Sequence, residues 1–486
     1  MQVEIKTTHE KISFMKTHTH TVLLSLVVLL SGCAVGSKYQ QPTINIASQW
    51  YAAVPHDAKS AGLVDWWQGF NDSTLMQLQA SAETNNPTLA QAVARIDAAR
   101  AHVGVSKAGI YPLVSASASQ TRNNGTDASD VSRRTRLGII DASWEVDLWG
   151  GVREGKRVFD AQLSARTLDW HTARISIAAE VANTYVGYRA CEAQSQSLLA
   201  DKLSRDETAR LTALLVDAGF AAPAEGYLSD ASAATGRQQQ VAIAAECQLG
   251  IKSLVTLTGE TEPLVRTWLE QGVIKQPKAP PFLLTELPIQ VISQRPDVAA
   301  AERALAAASA QINVAQANRL PRLALLGNIS FFGVKLSGGG NAINDKTWSF
   351  GPSLSLPIFD AGQRAAQVDL ARAGYAEALA GYQQAVSQAV KEVESALVTI
   401  DAAQKRLNDA HIAKNKFDKF FTASVARQRV GGASLLELED ARRSKLSAEQ
   451  NLINLNREYT TSWISLYKAV GGAWLKSTQH ADIGHI

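Results

Sequence analysis

Cysteine is nearly absent: three in 486 residues, of which only Cys191 and Cys247 lie beyond Cys33. That excludes a disulfide-dense scaffold and a CxxC metal site. Methionine is as scarce, three in all with Met1 and Met15 among them, so no thioether cluster for copper or silver can be assembled. Neither sign of charge dominates. With 48 Lys+Arg against 45 Asp+Glu and a net charge of +3, nothing electrostatic argues for a nucleic-acid partner. Past the leader there is no uninterrupted run of 18 apolar residues, which by that test excludes transmembrane helices and leaves β-structure as the only membrane-spanning option. The nine histidines form no H-E-x-x-H and no Ser/His pairing beside a motif, and Gly338-Gly339-Gly340 is followed by neither a helix nor a lysine. No enzymatic activity, metal or cofactor is expected.

Residues 22–30 are apolar apart from Ser25, too short for a bilayer span and proportioned as a signal peptide. Leu30-Ser31-Gly32-Cys33 resembles a bacterial lipobox. Residues 1–32 are therefore expected to be removed, with Met15 as an alternative initiator, and Cys33 to become the first mature residue, carrying a diacylglycerol and an N-acyl chain. By resemblance to lipoproteins generally, Ala34 after the cysteine implies sorting to the outer membrane. Residues 33–65 read as an extended tether.

What is present is a duplication. Pro87 and Pro296, and again Pro112 and Pro321, stand 209 apart; Gly151 and Gly362 stand 211 apart; Glu180 and Glu392, Gly219 and Gly431, and Gly259 and Gly471 stand 212 apart. A register held with so little drift predicts two structural repeats, 66–258 and 294–470, joined by a proline-rich connection at 259–293 and followed by a tail at 471–486. Each repeat has a helix, a proline, two short strand-like runs around a polar loop, and a very long proline-free helical stretch. Residues 151–217 would reach roughly 100 Å at about 1.5 Å per residue, a length that calls for coiled-coil packing. Leu452, Leu455, Tyr459, Trp463, Leu466 and Val470 step by three or four and form a packing seam. Gly219 to Pro223 and Gly431-Gly432 mark the reversals.

The clearest strand is 348–358, where Trp348, Phe350, Pro352, Leu354, Leu356 and Ile358 alternate with Ser349, Gly351, Ser353, Ser355 and Pro357. Its partner is 323–332. The first repeat supplies 113–121 and 137–148, and the intervening loops, 122–135 and 333–346, are both 14 residues long. One face is apolar and the other polar, at the length a tilted strand needs to cross a bilayer. Four strands cannot close, and an open edge cannot face lipid because its N–H and C=O groups find no partner there. Chains must pool strands, two giving eight or three giving twelve.

Trp66-Trp67-Gln68-Gly69-Phe70-Asn71-Asp72, Gln294-Arg295-Pro296-Asp297-Val298 with Ala301-Glu302, Leu356-Pro357-Ile358-Phe359-Asp360-Ala361-Gly362, and Tyr467-Lys468-Ala469-Val470-Gly471-Gly472-Ala473-Trp474 together resemble the TolC-like outer-membrane efflux factors, in their NodT/OprM-type lipoprotein branch. The resemblance implies a mainly α fold with a small β part: a duplicated coiled-coil α-barrel with an equatorial belt, and a transmembrane β-barrel of four strands per chain closed as a twelve-stranded homotrimer. It also implies a passive efflux duct working with a periplasmic adaptor and an inner-membrane transporter of RND or MFS type. The competing reading is a non-conducting periplasmic coiled-coil lipoprotein.

In that family the helical tips meet the adaptor and close the duct. The resemblance places adaptor contacts at Gly219, Phe220, Ala221, Ala222, Arg429, Gly431 and Gly432, and a constriction at Leu436 and Asp440, which lie i and i+4 on one helix face. Three Asp440 carboxylates around a narrow axis would repel one another and attract cations. Glu437 also falls on a gate position, yet Ser434 and Glu437 equally read as a capping box. Ala433 stands where the family has an arginine, so a lock built on a cation needs Arg442 or Arg443. Cys191 and Cys247 flank residue 219 symmetrically; a disulfide and two separately buried thiols are both open.

Overall fold

The computed structural model describes residues 36–43, 46–54, 63–123, 132–272, 275–284, 288–337 and 342–472. The lipobox with Cys33, the signal segment, Gly338 to Gly340 and most of the tail fall outside them. After a 3-10 turn at Leu63–Phe70 come α1 (Ser73–Asn85), α2 (Pro87–Ala108), β1 (Leu113–Asn123), β2 (Arg133–Val146), α3 (Gly151–Asp217), α4 (Pro223–Thr258), α5 (Glu262–Gln271), α6 (Pro288–Gln294), α7 (Pro296–Ala317), β3 (Arg322–Leu336), β4 (Ile343–Ser355), α8 (Gln363–Arg429) and α9 (Leu435–Ala469). Helix, two strands, a helix of 67 residues and one of 36 or 35 thus occur twice.

One compact unit comprises Ile96–Ala165, Ala301–Tyr382 and the described residues up to Thr43. Its sheet is antiparallel in the order β1-β2-β3-β4, so among the described residues β1 and β4 each keep one open edge. Because cross-strand partners point to the same face, the register collects the apolar sets into rows. Ala116, Ile140, Ile329 and Trp348 form one row, Val114, Ala142, Gly327 and Phe350 the next, and Trp144, Leu325 and Pro352 a third. The opposite face carries Ser115, Ser117, Asp141, Ser143, Asn328, Ser330, Thr347 and Ser349, interspersed with Leu113, Leu137, Ile139, Leu326 and Phe332, and the Ser330 and Thr347 hydroxyls lie 2.6 Å apart.

The strands run further than expected. Arg122, Asn123, Arg133 and Arg134 belong to the β1–β2 ladder, and Gly333 and Val334 pair with Asn344 and Ile343, so the expected 14-residue loops are shorter, by backbone pairing that continues where apolar alternation has ended. At the other end β4 stops at Ser355 rather than 358, and β2 at Val146 rather than 148. Beyond the strand ends, Asp147 accepts the backbone N–H groups of Val152 and Arg153 at the start of α3, and Asp360 accepts those of Gly362 and Arg364 around the start of α8.

The second unit comprises Ile44–Arg95, Arg166–Ala300 and Gln383 onward. Its core explains the motifs as packing. Trp66 stacks on Tyr467 at 4.6 Å and donates its indole N–H to the Pro280 carbonyl, while Asp72 caps α1 at the Leu75 N–H and accepts from the Tyr185 hydroxyl. Burial pushes that hydroxyl up to about 12. Arg295 donates to Asp297, to Glu392 on α8 and to the Ala469 carbonyl at the end of α9. The seam predicted near the C-terminus is present: Leu455, Trp463, Leu466 and Val470 are buried, Leu452 and Tyr459 partly so.

The exclusion of membrane helices does not hold as drawn. The best 18-residue window of α4 has a mean hydropathy of 1.3, enough by length and composition for a span; alanines raise the average while polar residues scattered among them break every run. The helix is nonetheless tied to α3 by Arg237–Asp206 and by Arg205–Ser232.

Candidate gate and docking tips

All the residues of the two helical reversals lie in the second unit. The turns are the same turn. The Gly219 and Phe220 N–H groups donate to the Val216 and Leu215 carbonyls, and 212 residues on Gly431 and Gly432 donate to Gln428 and Arg427. Gly219 and Gly431 have φ of +76° and +75°, the left-handed conformation that ends a helix and that glycine adopts without a Cβ penalty. The returning helices start by different chemistry. Pro223 occupies the first turn of α4, with no side-chain cap from Ala222, whereas Ser434 and Glu437 form a reciprocal capping box on α9. Glu437 is therefore engaged with its own helix N-terminus.

The expected docking residues lie at the surface: Gly219, Phe220, Ala222, Arg429, Gly431 and Gly432 are exposed and Ala221 is half-buried. Phe220 and Val430 are 84% and 83% accessible, so each tip projects an apolar side chain. On α9 the structure separates two faces. Leu436 and Asp440 are both exposed on one, with Arg443 beside Asp440 at 3.3 Å. Leu435, Leu438, Glu439, Ala441 and Arg442 are buried on the other. Arg442 thus does not stand in for the missing arginine at Ala433; it is turned away from Asp440, and only Arg443 is on that face.

Sequence reasoning did not find the cluster behind that buried face. Arg205 on α3 is bonded to Asp201 at 2.6 Å and to the Ser232 hydroxyl of α4 at 2.8 Å, and lies 3.7 Å from Glu439 of α9. Ser232 donates to Glu439 at 2.6 Å. Arg442 pairs with Glu439 and donates to Ser204 at 3.1 Å and Thr208 at 2.9 Å on α3. Gly236 permits the arrangement, since a Cβ there would come within 2.8 Å of the Arg205 side chain. Three helices from both repeats are joined through ions withdrawn from water, where a pair survives only with most of its hydrogen bonds satisfied. The signal in the sequence was faint: Asp201/Arg205 and Glu439/Arg442 read as ordinary surface pairs three or four apart.

Further along the same hairpin, Cys191 on α3 and Cys247 on α4 are joined by a disulfide with Cα atoms 5.6 Å apart. Among the described residues no group of His, Cys, Asp and Glu is arranged to hold a metal ion.

Comparison with known proteins places this geometry. The model of the outer membrane efflux protein family matches residues 78–260 and 287–472, nearly the whole of both repeats. The chain is 27% identical over 465 residues to the outer membrane protein OprJ of Pseudomonas aeruginosa, covering 93% of this chain and 95% of that one. It is 28% identical over 480 residues to the probable efflux pump outer membrane protein TtgC of Pseudomonas putida, covering 95% and 97%. In fold it is similar to the Campylobacter jejuni CmeC outer membrane channel, with a TM-score of 0.80, 23% identity and coverage of 92% and 96%. With a family match over both repeats and the fold of an outer-membrane channel, the chain belongs to the outer membrane efflux protein family.

Proposed function

We propose that the protein is the passive outer-membrane duct of a tripartite efflux system, in which three chains close one twelve-stranded barrel and continue it as a helical tunnel. The observation that carries this reading is the sheet: four strands whose register lines up an apolar face against one rich in Ser, Asn and Thr, with an edge on either side that no described residue pairs. In lipid those edges demand partners, and only copies of the same chain supply them in register. The polar face then borders water. Conduction needs no chemistry from the protein beyond a lined path, and the energy comes from an inner-membrane transporter coupled through a periplasmic adaptor at the two tips. Such an adaptor would act by binding the open arrangement of the tips better than the closed one. Small toxic compounds are the cargo class, in keeping with relatives named for efflux. Cys33 carries the lipid anchor.

The test is single-channel recording of the purified full-length protein in planar bilayers. Discrete conductance steps are expected. A protein that binds bilayers without passing current would sustain the structural-lipoprotein alternative and end this reading.

A further inference from the structure

We infer that the lipid-facing side of the sheet carries a binding site for a phosphate-bearing membrane lipid, at the hairpin end of the strands. The inference rests on the reading that the apolar face meets lipid.

Beyond the apolar rows that face changes character abruptly. The next row outward is Ala118, Gly138, Phe331 and Lys346; then Gln120, Arg136, Gly333 and Asn344; then Arg122, Arg134 and Lys335. Five cations occupy three successive rows, all five exposed. In the last row Arg122 is directly opposite Arg134, and Arg134 opposite Lys335. Like charges placed opposite each other across a ladder destabilise it, and among the described residues no carboxylate is paired with any of the five. Asp345, the acid in these rows, alternates onto the other face. Arg136 donates to Gln120 at 3.0 Å and Lys346 lies over the Phe331 ring at 5.4 Å, so both are held in place by neutral neighbours.

Small residues between Arg136 and Lys346 leave a surface hollow of about 720 Å³, lined by Ala118, Gly138, Gly333 and Phe331 with Asp345 also in its lining, and Arg122, Arg134 and Lys335 form the row just beyond it. The row of Ala118, Gly138 and Phe331 that lines it is adjacent on the same face to the row of Ala116, Ile140, Ile329 and Trp348. A cationic rim over an apolar hollow continuous with the membrane band fits an amphiphile. Its anionic head accepts from the arginine forks, which match phosphate geometry, and its acyl chain lies along the sheet. Free phosphate would satisfy the rim and leave the hollow unexplained. With the helices in the periplasm, the hairpin end is the outer end, so the occupant is an outer-leaflet lipid.

The experiment is native mass spectrometry of the detergent-solubilised full-length protein titrated with diphosphoryl lipid A. Phosphatidylcholine serves as a zwitterionic control and inorganic phosphate as competitor. Lipid A is expected to bind and phosphatidylcholine to bind far more weakly, with no displacement by inorganic phosphate. Each basic residue is worth about a factor of five at an anionic surface, so Arg122→Gln/Arg134→Gln/Lys335→Gln should weaken binding roughly a hundredfold. Arg122→Lys/Arg134→Lys should retain it, and the neutralised variant should conduct as the parent does. Equal binding of both lipids, unchanged affinity in the neutralised variant, or displacement by phosphate overturns the site while leaving the channel reading intact. Should that variant fail to assemble, the parent decides: affinity must fall as salt rises from about 50 to about 500 mM, and salt-independent binding overturns the proposal.

Discussion

Removing the Glu439 carboxylate should undock the second hairpin from the first. In Glu439→Ala, Arg442 keeps only Ser204 and Thr208 as acceptors, and Arg205 keeps Asp201 but loses its neighbour on α9. Both Arg442 and Glu439 are under 5% accessible, so water cannot replace what is lost. Breaking a buried pair from one side costs about 3–5 kcal/mol. At about 1.4 kcal/mol per factor of ten, the docked arrangement loses roughly a thousandfold of its advantage. Two readouts follow: a lower melting temperature of the detergent-solubilised protein, and a resting conductance above that of the parent, because α9 also carries Leu436 and Asp440. Replacing both partners by apolar residues, Glu439→Leu/Arg442→Met, should recover most of the stability. The exposed Asp440–Arg443 pair is the internal control, since Arg443→Ala should cost less than about 1 kcal/mol. A Glu439→Ala protein that melts and conducts like the parent, or an Arg443→Ala protein whose melting temperature falls as far, would overturn the role given to the buried cluster.

Leu436→Ala/Asp440→Ala should raise resting conductance with little change in melting, because both side chains are exposed on one face; unchanged single-channel current would remove them from the gate. Loss of the disulfide that spans 56 residues, by Cys191→Ala/Cys247→Ala, should cost up to about 4 kcal/mol from loop-closure entropy, read as a lower melting temperature and as loss of the parent's sensitivity to reductant. Trp348→Arg places a cation in the apolar rows and should cost about 2–4 kcal/mol of barrel stability, seen as failure to form an SDS-resistant oligomer. Ser330→Arg, on the polar face of the neighbouring strand, should assemble normally and shift ion selectivity toward anions.

The helices and reversals were legible because proline and glycine punctuate them. The long first helix spans the proline-free residues 151–217, and both glycines at the reversals adopt positive φ. Strand faces were legible from alternation, but strand ends were not, since Arg122, Arg134 and Lys335 extend the ladder with side chains that carry no apolar signal. At the tip, the capping box could be read because its partners are three residues apart. The Arg205–Glu439 cluster could not, because its members are more than two hundred residues apart and surface ion pairs at helical spacing look the same until the buried face is known. The motif residues Asp72 and Arg295 were visible as a family signature, while their roles, a cap held by Tyr185 and a bridge from the α6–α7 junction to α8 and α9, required the tertiary structure.

A duct of this kind needs strands from several chains in one wall, and the mass of the conducting particle shows whether they share it. Native mass spectrometry of the protein released from detergent micelles, on the same preparation that gives current in planar bilayers, should show a particle of three chains and no stable single-chain species. A preparation that conducts while its only intact particle is one chain would contradict that requirement.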